Sequence, residues 1–205
     1  MMTQRMAKVS GALAVLFVGL AGRLSAAPST LDNLQAAYHG ESNAKSRYEA
    51  FAVKADEEGY KAVASLFRAT SKSEGIHAAK HATAIKKLGA EPKVALEKHE
   101  VKSTKENLEA AEKGETAEKD TMYPAFIKQA ELDKNAGAAQ SFKGAMASEV
   151  SHAKLYQQAL KELESWKVAN KDFLVCQICG FTSLDQALKK CPVCDSPRSK
   201  FDVVK

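Results

Sequence analysis

Glu74-x-x-His77 and Glu149-x-x-His152 place the same two side chains at the same spacing in distant parts of the chain. On a helix, residues three apart share a face, so each pair aims a carboxylate and an imidazole the same way. Glu41 and Glu115 lie mid-way along two further segments of helical periodicity, on the stripes that carry the apolar residues. Burying a carboxylate without a partner costs several kcal/mol, and few lysines or arginines lie on these stripes to offset it. Metal cations would supply the missing charge, and hard oxygen ligands with imidazole suit iron or manganese. One Glu-x-x-His occurs by chance in many helices. The matched set, two such pairs and two single glutamates in bundle order, is the formula of a carboxylate-bridged two-metal site.

A second site is written in VCQICGFTSLDQALKKCPVCD, where Cys176-x-x-Cys179 and Cys191-x-x-Cys194 gather every cysteine into the last 30 residues. Two knuckles with paired thiolates make a tetrahedral four-sulfur cage, and Gly180 permits the tight turn after the first. Spacing alone leaves iron, structural zinc and, in an exported chain, two disulfides as competing readings.

Four helical segments must position these residues: about 30–58, 60–88, 103–133 and 136–164. Gly59, the Gly89-Ala90-Glu91-Pro92 turn and Asn135 punctuate them, and Ser103 with Glu106 forms a capping box. Short breaks within each pair and a longer crossing at 89–102 predict two hairpins joined by a crossover, a ferritin-like four-helix bundle. The predicted inward stripe of the third segment is Leu108, Ala111, Glu115, Glu118, Met122, Ala125 and Leu132; that of the second includes His81, in a packing or supporting role. Glu109 and Glu112 drift to the solvated face, His39 and His99 have no partner in the pattern, and Trp166 reads as a linker residue packing on the bundle.

GESNAKSRYEAFA at 40–52, SEGIHAAKHA at 73–82, GETAEKDTMYPAF at 114–126, SEVSHAKLY at 148–156 and the two-CxxC tail together resemble the rubrerythrin family over nearly the whole mature chain. The resemblance implies an all-α ferritin-like bundle with a small C-terminal rubredoxin-like four-cysteine iron ribbon. It adds Glu118, giving seven expected ligands to two irons: Glu41, Glu74, His77, Glu115, Glu118, Glu149 and His152. It further implies that Glu74 and Glu149 bridge the metals, that one iron exchanges Glu118 for His77 on reduction, and that Tyr48 and Tyr123 lie beside the centre. Glu118, His77, Tyr48 and Tyr123 are thus the expected catalytic residues. One iron is expected on Cys176, Cys179, Cys191 and Cys194, together with a head-to-tail homodimer that brings one chain's ribbon to the other chain's di-iron site.

The expected domains are a signal peptide at 1–26, the bundle at 27–164, a linker at 165–172 and the ribbon at 173–205. Arg5 and Lys8 precede an uncharged run from Val9 to Gly22 and the small residues Ser25-Ala26-Ala27, the order of an export signal that leads to a periplasmic location with no membrane span after cleavage; an uncleaved anchor is the alternative, although fourteen uncharged residues fall short of the roughly 20 that a span needs. Of the net charge of +5, three units come from Arg5, Lys8 and Arg23, and the mature chain interleaves both signs without a basic aromatic stripe, which argues against nucleic-acid binding. The expected function is reduction of hydrogen peroxide to water, with electrons relayed through the ribbon from an unidentified donor in oxidative-stress defence. A ferroxidase or iron-handling protein and a simple electron carrier are the rival readings.

Overall fold

The computed structural model describes residues 28–205; the expected signal peptide at 1–26 lies outside them. Helices α1 (Thr30–Glu57) and α2 (Lys61–Lys87) form one hairpin, turned by Gly59 at φ +82°. The second hairpin pairs α3 (Thr104–Ala117) and α4 (Tyr123–Leu132) with α5 (Ala136–Lys161). Ser29 with Asp32 and Ser103 with Glu106 cap α1 and α3 reciprocally, and the Asn135 side chain caps α5. Among the described residues no helix is long and apolar enough to cross a membrane.

The crossing at 89–102 is extended and lies along α1. Gln35 accepts from the Lys93 backbone N–H and donates to the Glu91 carbonyl, and Asn43 does the same with Glu97 and Ala95. His39, one turn from each, pairs with Glu97 at 3.2 Å, a partner the sequence pattern did not disclose.

The third segment is not one continuous α-helix. Residues Glu118–Met122 form a π turn between α3 and α4. Pro124 lacks an N–H and its ring crowds the carbonyl four residues back, so an α-helical bond cannot close there; the wider turn absorbs the misfit. Such a turn inserts one residue and shifts the phase of everything after it. The expected inward Met122, Ala125 and Leu132 are therefore corrected to Tyr123, Ile127 and Ala130, and Leu132 is 67% exposed.

The expected linker at 165–172 is partly helical: α6 (Leu163–Val168) buries Trp166 completely against Phe173. The ribbon follows as a three-stranded antiparallel sheet, order β2 (Thr182–Ser183), β1 (Phe173–Cys176), β3 (Phe201–Val204). Phe173 and Val175 of β1 join the bundle's own core with Tyr48, Phe51, Phe67 and Tyr156. Lys72 pairs with Asp202 at 2.5 Å, and Arg68 donates to the Lys205 carbonyl.

At the centre of this interface Gly180 (φ +83°) lies flat on α2, where a β-carbon would collide with His77 Nε2 and Ser73 Oγ. We expect Gly180→Ala to weaken docking of the ribbon more than it weakens the cysteine cage, since the new β-carbon meets His77 and Ser73 of α2 directly, while the left-handed backbone adds only about 1–2 kcal/mol within the knuckle. Limited proteolysis should then cut at 162–172 faster than in the parent, while the absorption of the metal-loaded cage is kept. Equal protease resistance would count against this packing.

Candidate metal centres

Three helices and the end of a fourth aim their acids and imidazoles at one buried volume. Glu41 (α1), Glu74 and His77 (α2) and Glu149 (α5) each offer a ligand atom within 4.8 Å of the others; so do Glu74, Glu115 (α3), Glu149 and His152. Glu74 and Glu149 belong to both groups, so each could serve two cations, the role the resemblance implies for them. All six side chains are at most 1% exposed.

His77 Nδ1 lies 3.0 Å from both Glu74 and Glu149 and 3.7 Å from Glu41, and His152 Nδ1 lies 2.7 Å from Glu149, 3.2 Å from Glu115 and 3.3 Å from Glu74. Yet His77 Nδ1, both oxygens of Glu74 and of Glu149, and Glu41 Oε2 have no hydrogen-bond partner. Lone pairs this close and this poorly aligned with one another converge on shared points, which is the arrangement that fits metal ions.

Glu118 is half-buried in the π turn and belongs to neither group. It still faces the cluster: burial, then Glu41 and Glu115, push its carboxyl well above the ordinary range. The two tyrosines hold the outer carboxylates, Tyr48 donating to Glu115 Oε1 at 2.5 Å and Tyr123 to Glu41 Oε1. Glu109 and Glu112 point away, as expected.

The ribbon fixes the other side of both imidazoles. His77 Nε2 lies 3.0 Å from the Cys179 carbonyl, which only accepts, so a hydrogen is on Nε2 and Nδ1 is the nitrogen that would offer its lone pair to a metal in the cluster. His152 Nε2 lies 3.2 Å from Thr182 Oγ1, whose own hydrogen goes to the Gly180 carbonyl. Ser73 and Ser148 donate to the carbonyls of Gly180 and Cys179 at 2.7 and 2.8 Å. These serines were missed in the sequence, although the signal was there: both ligand pairs are preceded by serine, as Ser73-Glu74-x-x-His77 and Ser148-Glu149-x-x-His152.

In the ribbon the four thiols are free and form one group, with Cys176 and Cys194 sulfurs 3.7 Å apart and Cys179 and Cys191 sulfurs 3.5 Å apart. A disulfide brings sulfurs to about 2 Å, whereas tetrahedral thiolates about 2.3 Å from one metal ion stand well beyond that. The cage therefore suits a metal. Gly180 and Asp195 (φ +56°) take the left-handed position after each knuckle, and the Cys176 carbonyl accepts from the Gly180 N–H as the Cys191 carbonyl does from Asp195. The Cys179 thiol beside it draws Cys176 down to about 5, and burial pushes Cys191 up to about 11.

Without metal, burial and then Glu149 hold Glu41 up at about 7, from an ordinary 4.5. Burial opposes charge on His77 and His152, but the surrounding carboxylates, Glu149 foremost for His77 and Glu74 for His152, outweigh it and raise both. A group raised on folding stabilises below its unfolded pKa and loses that contribution as pH climbs through the folded one. The melting temperature of metal-free protein should therefore fall as pH rises from about 4.5 to about 7. Added divalent metal should reverse the trend, because the cation displaces those protons. Calorimetry of chelator-treated protein from pH 5 to 8, with and without metal, tests this; a metal-free melting temperature that climbs over that range would refute it.

Comparison with known proteins agrees with this geometry in both parts of the chain. Residues 32–160 match the family model described as Rubrerythrin, and residues 175–202 match that of the rubrerythrin rubredoxin-like domain. Nigerythrin of Nitratidesulfovibrio vulgaris is 35% identical over 182 residues, covering 86% of this chain and 87% of its own. Rubrerythrin-2 of Clostridium acetobutylicum is 34% identical over 174 residues, covering 84% and 95%. A solved structure of fully reduced, all-ferrous nigerythrin superposes with a TM-score of 0.81 at 33% identity, covering 90% of this chain and 91% of that one. With a family match over more than half its length and such relatives across most of the rest, the chain belongs to the rubrerythrin family.

Proposed function

We propose that the protein is a peroxidase of oxidative-stress defence, reducing hydrogen peroxide to water at the carboxylate–imidazole cluster with electrons that enter through the four-cysteine ribbon. Iron is the cofactor at both sites. Glu41, Glu74, His77, Glu115, Glu149 and His152 would hold two irons, with Glu118 in reach of the Glu41 side, and Cys176, Cys179, Cys191 and Cys194 would hold one. When bound, a ferrous pair supplies the two electrons that peroxide reduction takes, and the cysteine-bound iron restores them one at a time.

The observation that carries this reading is the double engagement of His77: Nδ1 lies in the cluster while Nε2 donates to the carbonyl of the cage residue Cys179. An iron store needs no such connection, and a simple electron carrier needs no buried cluster of acids. The chain's own residues do the rest. Tyr48 and Tyr123 orient Glu115 and Glu41, and complete burial keeps bulk water away. His77 in the inner group with Glu118 outside it is the arrangement the family resemblance assigns to the reduced site.

We also propose export, supported by the order of residues in 1–26, and a homodimer, supported by family resemblance. The contact between ribbon and cluster occurs here within one chain, so a dimer is not required to bring the sites together. Intact mass and sedimentation of protein from its native compartment should give two chains, each lacking residues 1–26. A retained leader or a single chain would overturn the corresponding proposal.

The function itself is tested by mixing reduced protein with peroxide and, separately, metal-free protein with ferrous iron and oxygen. Rapid oxidation by peroxide with no stored iron is the expected result; accumulation of many ferric ions per chain would favour the ferroxidase reading. In Cys191→Ser the first turnover should survive while continuous turnover with an added electron donor falls at least tenfold, since a tenfold effect corresponds to about 1.4 kcal/mol of barrier.

A further inference from the structure

His81 belongs to neither group of candidate ligands, yet it is fully buried one turn beyond His77 on α2. Both ring nitrogens are engaged. Nδ1 lies 2.9 Å from Ser141 Oγ on α5, and Nε2 lies 3.1 Å from the Tyr123 hydroxyl. That hydroxyl donates in turn to Glu41 Oε1. An ionised carboxylate only accepts, so Tyr123 gives its hydrogen to Glu41 and must receive one from His81 Nε2–H; Nδ1 is then left to accept from Ser141. Every hydrogen in the series points inward.

The outer end reaches solvent. Ser141 is half-buried and lines a cleft of about 330 Å³ between the end of α2 and the start of α5, with Lys80, Thr83, Asn135 and Gln140. The inner end is a carboxylate of the cluster. Tyr48, on the Glu115 side, makes the comparison: it donates to its glutamate, but its ring is walled by Phe51, Phe67 and Tyr156 with the Arg47 guanidinium 5.4 Å from the ring centroid, and no histidine meets its hydroxyl among the described residues. Burial, with His77 nearby, lowers the His81 pKa to about 3. A ring held neutral can take a proton at one nitrogen and release one at the other, changing tautomer but not charge.

We propose that Ser141, His81 and Tyr123 form a proton path from the α2–α5 cleft to the Glu41 edge of the cluster. The inference rests on the peroxidase reading. Breaking the O–O bond of peroxide to give two waters takes two protons and two electrons, the latter being what a bound ferrous pair would supply. Each proton is taken from water at Ser141, which passes its own hydrogen to His81 Nδ1. Nε2 passes its hydrogen to Tyr123, and Tyr123 passes its own through Glu41 to a peroxide oxygen. His81 is left as the other tautomer, with its hydrogen on Nδ1, and the path resets for the next proton when local opening at the α2–α5 cleft lets the ring exchange hydrogens with water and regain one on Nε2.

The test compares the parent with His81→Gln, which preserves hydrogen bonding but cannot change tautomer, and with His81→Ala. With iron content unchanged, single-turnover oxidation of reduced His81→Gln by peroxide should slow by about tenfold or more, within the 10²–10⁴ range typical of positioned proton transfer. Added imidazole should partly restore the rate of His81→Ala, which a packing role would not produce. A readout independent of turnover is the ¹⁵N spectrum of the metal-free parent at pH 8, where His81 should be neutral with its hydrogen on Nε2. A parent-like rate in His81→Gln, or a hydrogen on Nδ1 in that spectrum, overturns the path. If the parent spectrum is as expected but the parent does not turn over peroxide, the peroxidase reading falls and the hydrogen-bonded path stands.

Discussion

The structure depends on concentrated negative charge in the middle of a helical bundle. Glu41, Glu74, Glu115 and Glu149 are buried side by side with two imidazoles, and Glu118 faces them from the π turn. Ordinary cores avoid this, because each unpaired buried carboxylate costs several kcal/mol. The neighbouring lysines are spent elsewhere: Lys45 pairs with Glu49 and Lys54 with Glu58 on the surface. Two iron ions are the compensation that the donor set fits. The rest of the bundle's core, alanine-rich helices around the Tyr48–Phe51–Phe67–Tyr156 ring cluster, supplies the stability that this polar centre does not.

The ribbon is coupled to this centre through the back of its imidazoles. A histidine that binds metal through Nδ1 needs an acceptor at Nε2 to fix its tautomer, and here the Cys179 carbonyl and Thr182 hydroxyl take that role. The serines that precede the two Glu-x-x-His pairs add parallel donors to the same turn. Docking therefore does three things at once: it buries Phe173 and Val175, orients the two histidines, and brings the four-cysteine cage next to the cluster.

The π turn before Pro124 is a smaller device with a local effect on the same site. It rotates α4 by about one residue, which carries Tyr123 rather than Met122 into the core and sets its hydroxyl between Glu41 and His81. An uninterrupted helix would have left that hydroxyl off the inner face, and the series from Ser141 to Glu41 would be broken.

The sequence by itself determined the features written in local spacing. Two Glu-x-x-His pairs, two further glutamates on apolar stripes and two CxxC knuckles give six bundle positions and the cage, because i, i+3 geometry and knuckle turns depend only on near neighbours. The helix limits were legible for the same reason, from caps and glycines. What only the tertiary structure decided involves residues far apart in the chain or a change of backbone phase. Gly180 against His77, Ser148 against Cys179, and His39 against Glu97 join partners that no periodicity relates. The shift from Met122 to Tyr123 needs the π turn, and although Pro124 marked the place, its consequence could not be read until the core on either side had been packed. Glu118 shows both halves of the lesson: it falls on the third segment's inward stripe and the family resemblance made it a ligand, but it sits half-buried in the wider turn, outside both ligand groups.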